Sequence, residues 1–237
     1  MSFEALMLAA GKGRRLGPKT VSKPMLDVAG AKLYEFAWSI FEELGCKKVR
    51  VVAGENSDLV RHITRTTKIP VEFVLGAGPT IPDSIRKCLP FQSDVVMMFA
   101  DEYISRMGAR KAKWHFLKGW NGEPPDAVLG AVRLDSDDRA AMKRTYALSL
   151  KDGYEVTRLR EKPKRVSGDY MGTGFAIASA DLLNAAAPRV RTANWVDLWN
   201  EAIAMGYGIR LHPLPKPYFN VNTKTDLKAL WMWVSEQ

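Results

Sequence analysis

The residues best suited to chemistry crowd into one short segment. Gly11-Lys12-Gly13-Arg14-Arg15-Leu16-Gly17-Pro18 follows an apolar run, and Lys12, Arg14, Arg15, Lys19 and Lys23 place five cations within twelve residues. No Asp or Glu occurs from Ala5 to Met25. Glycines let the backbone pass close to an anion, and successive N–H groups in such a turn can cradle a phosphate. The order of a Walker loop is missing, as is the three-glycine dinucleotide fingerprint. Composition therefore leaves two readings open, a phosphate cradle or a strand-to-helix loop with solvated basic residues. A second polar feature is Asp101, which ends the apolar run Asp94–Ala100 and is followed by Glu102.

Both features need a scaffold. Ala5–Ala10, Val49–Gly54, Val71–Leu75 and Asp94–Ala100 read as strands, and Lys32–Leu44, Ser57–Arg65 and Pro82–Leu89 as helices. Nearly continuous apolar strands alternating with helices predict a parallel sheet covered on both faces. In such sheets ligands sit outside the carboxyl ends of the strands, where the glycine loop and Asp101 both fall. The second half is less regular. Strands are expected at Ala127–Leu134, Ala147–Leu150, Val156–Leu159 and Gly172–Ala178, with a hairpin turn at Lys151-Asp152-Gly153. Helices are expected at Ala180–Ala187, Trp195–Met205 and Asp226–Val234. Hairpins added to a parallel sheet make it mixed, with the later strands as a lid or substrate subdomain.

Composition narrows the function classes. The chain has 237 residues, 46% hydrophobic and 26% charged, which fits one soluble α/β domain with a sizeable core. Its 35 basic and 26 acidic side chains give a net charge of +9, which points to an anionic partner without choosing among nucleic acid, acidic lipid and a phosphorylated small molecule. Cys46 and Cys88 have no metal-ligand or redox neighbours, so neither a disulfide framework nor a Cys-rich zinc site is expected, and a reducing cytoplasm fits. No apolar run is long enough for a spanning helix, and Ala5–Ala10 is too short for a signal peptide.

Leu8-Ala9-Ala10-Gly11-Lys12-Gly13-Arg14-Arg15-Leu16 followed by Ser22-Lys23-Pro24-Met25-Leu26 resembles the signature of the nucleotidyltransferases that activate sugar 1-phosphates, a family that includes phosphocholine cytidylyltransferase-like members. The family pattern has Thr where this chain has Arg14. Glu161-Lys162-Pro163, Gly172-Thr173-Gly174 and Asn220-Val221-Asn222-Thr223 with Asp226-Leu227 resemble later family motifs, so the likeness is spread over the whole chain. The resemblance implies an α/β fold with a three-layer, Rossmann-like, mixed and mostly parallel sheet, helices on both faces and a small β-rich acceptor subdomain. It implies a single domain over 1–237, with a nucleotide-binding half at 1–110 and an acceptor-binding half at 111–237.

The chemistry implied is attack by an acceptor phosphate oxygen on the α-phosphorus of a nucleoside triphosphate (CTP, UTP or dTTP), with pyrophosphate leaving. The nucleophile is already anionic, so catalysis rests on in-line positioning and charge neutralisation. By the resemblance Arg15 holds the β- and γ-phosphates, Lys23 the α-phosphate and Lys162 the acceptor phosphate. Leu8, Ala9, Ala10, Gly11, Gly13 and Arg14 approach the nucleotide, with Gly78 and Ser84 near its base. Glu161, Gly174, Trp195 and Asp197 are expected to bind the acceptor. Mg²⁺ is the expected cofactor, and Asp101 is its first candidate ligand because the ion takes one or two carboxylates together with phosphates and waters. Asn220 and Asn222 stand where many members carry Asp; an amide oxygen can also bind the ion, though more weakly.

Each motif has a plainer reading. Asp101 can cap a helix, the two asparagines can make turn hydrogen bonds, and Glu161-Lys162-Pro163 can be a solvated charge run flanked by Arg158, Arg160, Lys164 and Arg165. His62, His115 and His212 share no metal spacing. The segment Trp195–Trp199 reads as core, yet aromatic rings beside Asp197 could also hold a cationic choline- or amine-type head group. A sugar 1-phosphate is the first acceptor expected, and phosphocholine or an aminoalkylphosphonate activated with CTP is the alternative. A non-catalytic nucleotide- or nucleic-acid-binding regulatory module is the alternative of another class, although no helix-turn-helix, zinc-finger or RNA-binding signature occurs. No nucleic-acid or membrane partner is expected, and the chain could be a monomer or a homodimer.

Overall fold

A computed structural model describes residues 2–237 except 12–15, 17–21, 77, 120–121, 136–142, 144 and 165–167. In chain order the first half contains β1 (Phe3–Leu8), a 3₁₀ turn (Lys23–Met25), β2 (Asp27–Val28), β3 (Ala31–Lys32), α1 (Leu33–Glu43), β4 (Cys46–Gly54), α2 (Ser57–Thr66), β5 (Val71–Leu75), α3 (Ile81–Arg86), β6 (Asp94–Phe99), β7 (Glu102–Tyr103) and α4 (Arg106–Lys118). The second half contains β8 (Ala127–Arg133), β9 (Tyr146–Lys151), β10 (Glu155–Glu161), β11 (Tyr170–Ala178), α5 (Ala180–Ala186), α6 (Trp195–Ala204), β12 (Ile209–Leu214), β13 (Phe219–Asn220) and α7 (Lys224–Ser235).

Nine strands form one sheet in the order β5-β4-β1-β6-β11-β8-β12-β10-β9. The pairs β5–β4, β4–β1, β1–β6 and β8–β12 are parallel, while β11 and β10 run against their neighbours. Seven of the nine strands therefore share one direction, and two oppose it. The near end of β11 also pairs with β9 through Met171 and Ala147, so the β9–β10 hairpin curls back over the sheet.

The strands are apolar on both faces because both faces are covered. β6 presents Val96 and Met98 to one cluster, with α1, α2 and α4, and Val95 and Met97 to the other, with α5 and α6. This alternation follows from side chains pointing to opposite faces every second residue. Cys46 and Cys88 are buried free thiols, both pushed up to about 12 by burial. Among the described residues no helix is long and apolar enough to cross a membrane.

Apart from the two-residue strands β2, β3, β7 and β13, two longer elements, α4 and β12, have no counterpart in the sequence reading. In α4, Lys and Arg residues break the apolar stripe, and burial falls on the small residues Gly108, Ala109 and Ala112 with Phe116. β12 contains His212 and Pro213, which argue against a central strand. Its far side pairs with β10 only at Arg210, so the missing N–H of Pro213 breaks no ladder there.

Candidate active site

The parallel strands β1, β4 and β6 end at one cleft. Its first part, a cavity of about 270 Å³, is lined by Leu8 to Gly11 from the end of β1, Val52, Phe99 to Asp101 after β6, Lys23 and Pro24, Ile81 and Ser84, and Asn220 and Asn222. A second cavity of about 540 Å³ opens from it across Gly54, Gly76, Gly78, Thr80 and Ser84. A third, of about 220 Å³, continues from Phe99, Ile81 and Asn220 toward Glu161, Lys162, Gly174 and Trp195.

Lys23 reaches the first cavity because the 3₁₀ turn, with Pro24 in it, packs against α1 and α2, and the Ser22 N–H donates to Asp58 Oδ2 at 2.8 Å. Its ammonium, on a residue only 6% exposed, forms an ion pair with the Asp101 carboxylate and donates to Asn222 Oδ1 at 3.2 Å. β7 and β13 pair antiparallel with Asn220 opposite Glu102, and the Val221 N–H donates to the Asp101 carbonyl at 2.9 Å. Beyond them Asp226 caps α7: its carboxylate accepts from the N–H groups of Asn222 and Thr223 at 2.9 and 2.7 Å. The resemblance to the family's C-terminal motif thus falls on a turn whose backbone is pinned from both sides.

Glu102 differs from Asp101 in every respect except charge type. It is 1% exposed and accepts from the Gly174 N–H at 2.8 Å, the Tyr218 hydroxyl at 2.8 Å and Asn220 Nδ2 at 3.2 Å. Burial, reinforced by the neighbouring Asp101 charge, pushes its carboxyl up to about 8. The sequence reading noted Glu102 only as the residue after Asp101 and missed Tyr218. An acid next to an acid carries no signal of burial, and the three donors come from distant parts of the chain.

In the third cavity Glu161 closes β10, and burial raises its carboxyl above the usual range. Lys162 adopts a left-handed backbone (φ 42°), donates its N–H to the Thr145 carbonyl at 2.6 Å and holds its ammonium 3.7 Å from Glu161. Trp195, 4% exposed, lies 5.2 Å from both Phe99 and Trp199, ring centre to ring centre. Gly172 and Gly174 are fixed by packing, since a methyl at either would overlap the ring of Tyr146 or of Phe99. Gly78 likewise abuts Asp83 in the first turn of α3, and Ser84 donates to the Thr80 carbonyl at 3.0 Å.

The expected residues thus gather, with qualifications. Leu8, Ala9, Ala10, Gly11, Lys23, Gly78, Ser84, Asp101, Glu161, Lys162, Gly174, Trp195, Asn220 and Asn222 all line the connected cavities. Asp197 does not line them; its carboxylate accepts from the Asn194 N–H at 3.3 Å in the capping box of α6. Gly13, Arg14 and Arg15 lie outside the described residues.

The donor set suits a hard divalent cation. Asp101 Oδ2 and Asn222 Oδ1 converge on one positive charge, here the Lys23 ammonium, at the edge of a cavity open to a phosphate ligand. One carboxylate and one amide oxygen, completed by phosphate and water, match the preference of Mg²⁺. Asn220 Oδ1 instead accepts from Asn222 Nδ2 at 2.6 Å. Among the described residues no three His, Cys, Asp or Glu side chains cluster as an all-protein metal cage.

Comparison with known proteins finds similarity to nucleotidyltransferases. Residues 5–100 match the MobA-like NTP transferase domain. The UTP–glucose-1-phosphate uridylyltransferase AglF of Haloferax volcanii is 25% identical over 187 residues, which are 73% of this chain and 70% of that one. The bifunctional protein GlmU of Caulobacter vibrioides is 33% identical over 102 residues, 41% of this chain and 22% of GlmU. A UDP-glucose pyrophosphorylase solved with UDP-glucose superposes with a TM-score of 0.82 over the whole of both chains at 16% identity. These likenesses make the chain similar to nucleotidyltransferases: residues 5–100 match the MobA-like NTP transferase domain, and the whole chain shares the fold of the UDP-glucose pyrophosphorylase.

Proposed function

We propose that the chain transfers a nucleotidyl group from a nucleoside triphosphate to the phosphate of a small acceptor, a sugar 1-phosphate in the first instance. An acceptor phosphate oxygen forms a bond to the α-phosphorus, the bond from that phosphorus to the bridging oxygen breaks, and pyrophosphate carries away the electron pair. The observation that carries this reading is the meeting of Lys23 and Asp101 where β1 and β6 end, in a cleft that runs on to Glu161 and Lys162.

Lys23 neutralises the α-phosphate, Arg15 the departing β- and γ-phosphates, and Lys162 the acceptor phosphate. Asp101 and Asn222 hold the Mg²⁺, which when bound supplies further neutralisation of the phosphate oxygens. The Leu8–Gly11 segment forms the nucleotide wall, and Gly78 and Ser84 lie on the side of the base. Glu161, Gly174 and Trp195 face the acceptor.

A second reading of the acceptor has a specific basis. Several polar groups of the third cavity are spent internally: Tyr146 OH on the Thr173 carbonyl at 2.5 Å, Thr173 Oγ1 on the Gly130 carbonyl at 2.9 Å, and Gly174 N–H on Glu102. The rings of Phe99 and Trp195 beside Glu161 suit a compact ammonium head, as in phosphocholine or an aminoalkylphosphonate activated with CTP.

Pyrophosphate release is the test, with CTP, UTP, dTTP, GTP and ATP each paired with hexose 1-phosphates, phosphocholine and aminoethylphosphonate. One productive pair, silenced by Asp101→Ala, supports the assignment and identifies the acceptor. Salt-dependent oligonucleotide binding with no turnover for any pair would place the chain among nucleic-acid-binding modules instead.

A further inference from the structure

Glu102 is a sealed carboxyl whose three donors come from two distant parts of the chain: Gly174 on β11, and Tyr218 and Asn220 at β13. What it does to the two asparagines follows from donor chemistry. An asparagine amide has a donor end and an acceptor end of nearly the same shape, and its neighbours decide which way it points. The Glu102 oxygen facing Asn220 accepts, so Asn220 turns Nδ2 toward it, at 3.2 Å. Asn220 Oδ1 must then face the other way, where it accepts from Asn222 Nδ2 at 2.6 Å. That bond in turn points Asn222 Oδ1 at the Lys23 ammonium, 3.2 Å away, beside Asp101. The backbone of this turn is held independently, by the Asp226 cap and the β7–β13 pairing. Glu102 is left to set polarity.

We propose that Glu102 is a positioning residue: through Asn220 it fixes which end of the Asn222 amide faces Asp101, and so makes Asn222 an oxygen donor to the divalent cation. The inference rests on the nucleotidyl-transfer reading above. With the opposite polarity Asn222 would present an NH₂ group to a cation. A glutamine at 102 loses the rule. It can accept from Asn220 only by setting its own NH₂ against the Gly174 N–H, and it relieves that conflict by donating to Asn220, which reverses both amides. A carboxylate at 222 has two oxygens and needs no orientation.

The test is a double-mutant cycle on the ligand-free protein. The probe is Mn²⁺ alone, and its affinity is read by water-proton relaxation enhancement. Glu102→Gln is expected to weaken Mn²⁺ by about tenfold, the usual scale for a group behind a metal ligand. In an Asn222→Asp background the same change is expected to stay within about twofold, because the coupled term is gone. An equal loss in both backgrounds overturns the inference, as does a wild-type protein that takes up no Mn²⁺. If Glu102→Gln does not fold, Asn220→Ala cuts the relay one residue further on, and the same two outcomes decide. Pyrophosphate release by the wild type, scored separately, tells failure of this inference from failure of the proposed reaction.

Discussion

Lys23→Met keeps much of the stem that packs beside Pro24 and removes the ammonium that Asp101 and Asn222 share. Turnover is expected to fall by about a hundredfold or more, the scale of losing one preorganised charge contact to a transition state. The far-UV spectrum should stay unchanged, and steady-state kinetics within twofold of wild type would remove Lys23 from the reaction. Lys162→Ala is expected to raise the KM of the acceptor and leave that of the nucleotide, since Lys162 stands in the third cavity; an effect on the nucleotide alone would reverse its role. At this scale the sequence was most informative where a charge falls at a strand end or within a recognisable motif. Asp101 was legible because an apolar run stops at it, and Lys23 through the cluster of cations after β1 and the motif Ser22-Lys23-Pro24-Met25-Leu26. Glu102 was not, because burial against Gly174, Tyr218 and Asn220 is made by chain segments more than 70 residues away. Asp197 was expected at the acceptor through the resemblance; its carboxylate is taken up by the α6 cap instead.

Elements position these side chains by close approach of backbone to ring. Gly174→Ala would drive a methyl into Phe99 and pull the Gly174 N–H away from Glu102. Such overpacking costs about 1–3 kcal/mol, which in a chain of this length reads as a loss of a few degrees in Tm. Calorimetry should show that drop together with a raised acceptor KM; an unchanged Tm would mean that β11 can yield. The periodicity that revealed α1, α2, β5 and β6 depends on a clear apolar face. Where small residues do the packing, as in α4, or where a strand is paired along only part of one side, as in β12, periodicity has little to report. The side-by-side order of the later strands was beyond reach as well, because the return of β9 onto β11 is a contact between segments that no local pattern encodes.

Over the whole molecule, titration adds a term remote from the site. His212 on β12 is 4% exposed and stacks with His115 of α4 at 5.1 Å between ring centres. Burial first, then the neighbouring His115, depresses its pKa to about 4. The folded state therefore resists protonation that the unfolded chain accepts near pH 6.5. The contribution is complete above that value and is lost as pH falls toward 4, by up to about 3 kcal/mol. Urea unfolding at pH 7 and at pH 4.5 should show His212→Leu gaining on the wild type at the lower pH. A difference independent of pH would mean that His212 titrates as an ordinary histidine.

Asp101 and Glu102 occupy consecutive positions, one at the edge of water and one sealed from it, with Asn220 and Val221 reaching across to hold the pair in place. Spacing there is consequently as exacting as chemistry. A single residue inserted or deleted just after Phe99 would shift the frame, carry one acid into the other's environment, bring a non-acidic residue into the remaining one and leave both roles unfilled, although the acids themselves would still be present.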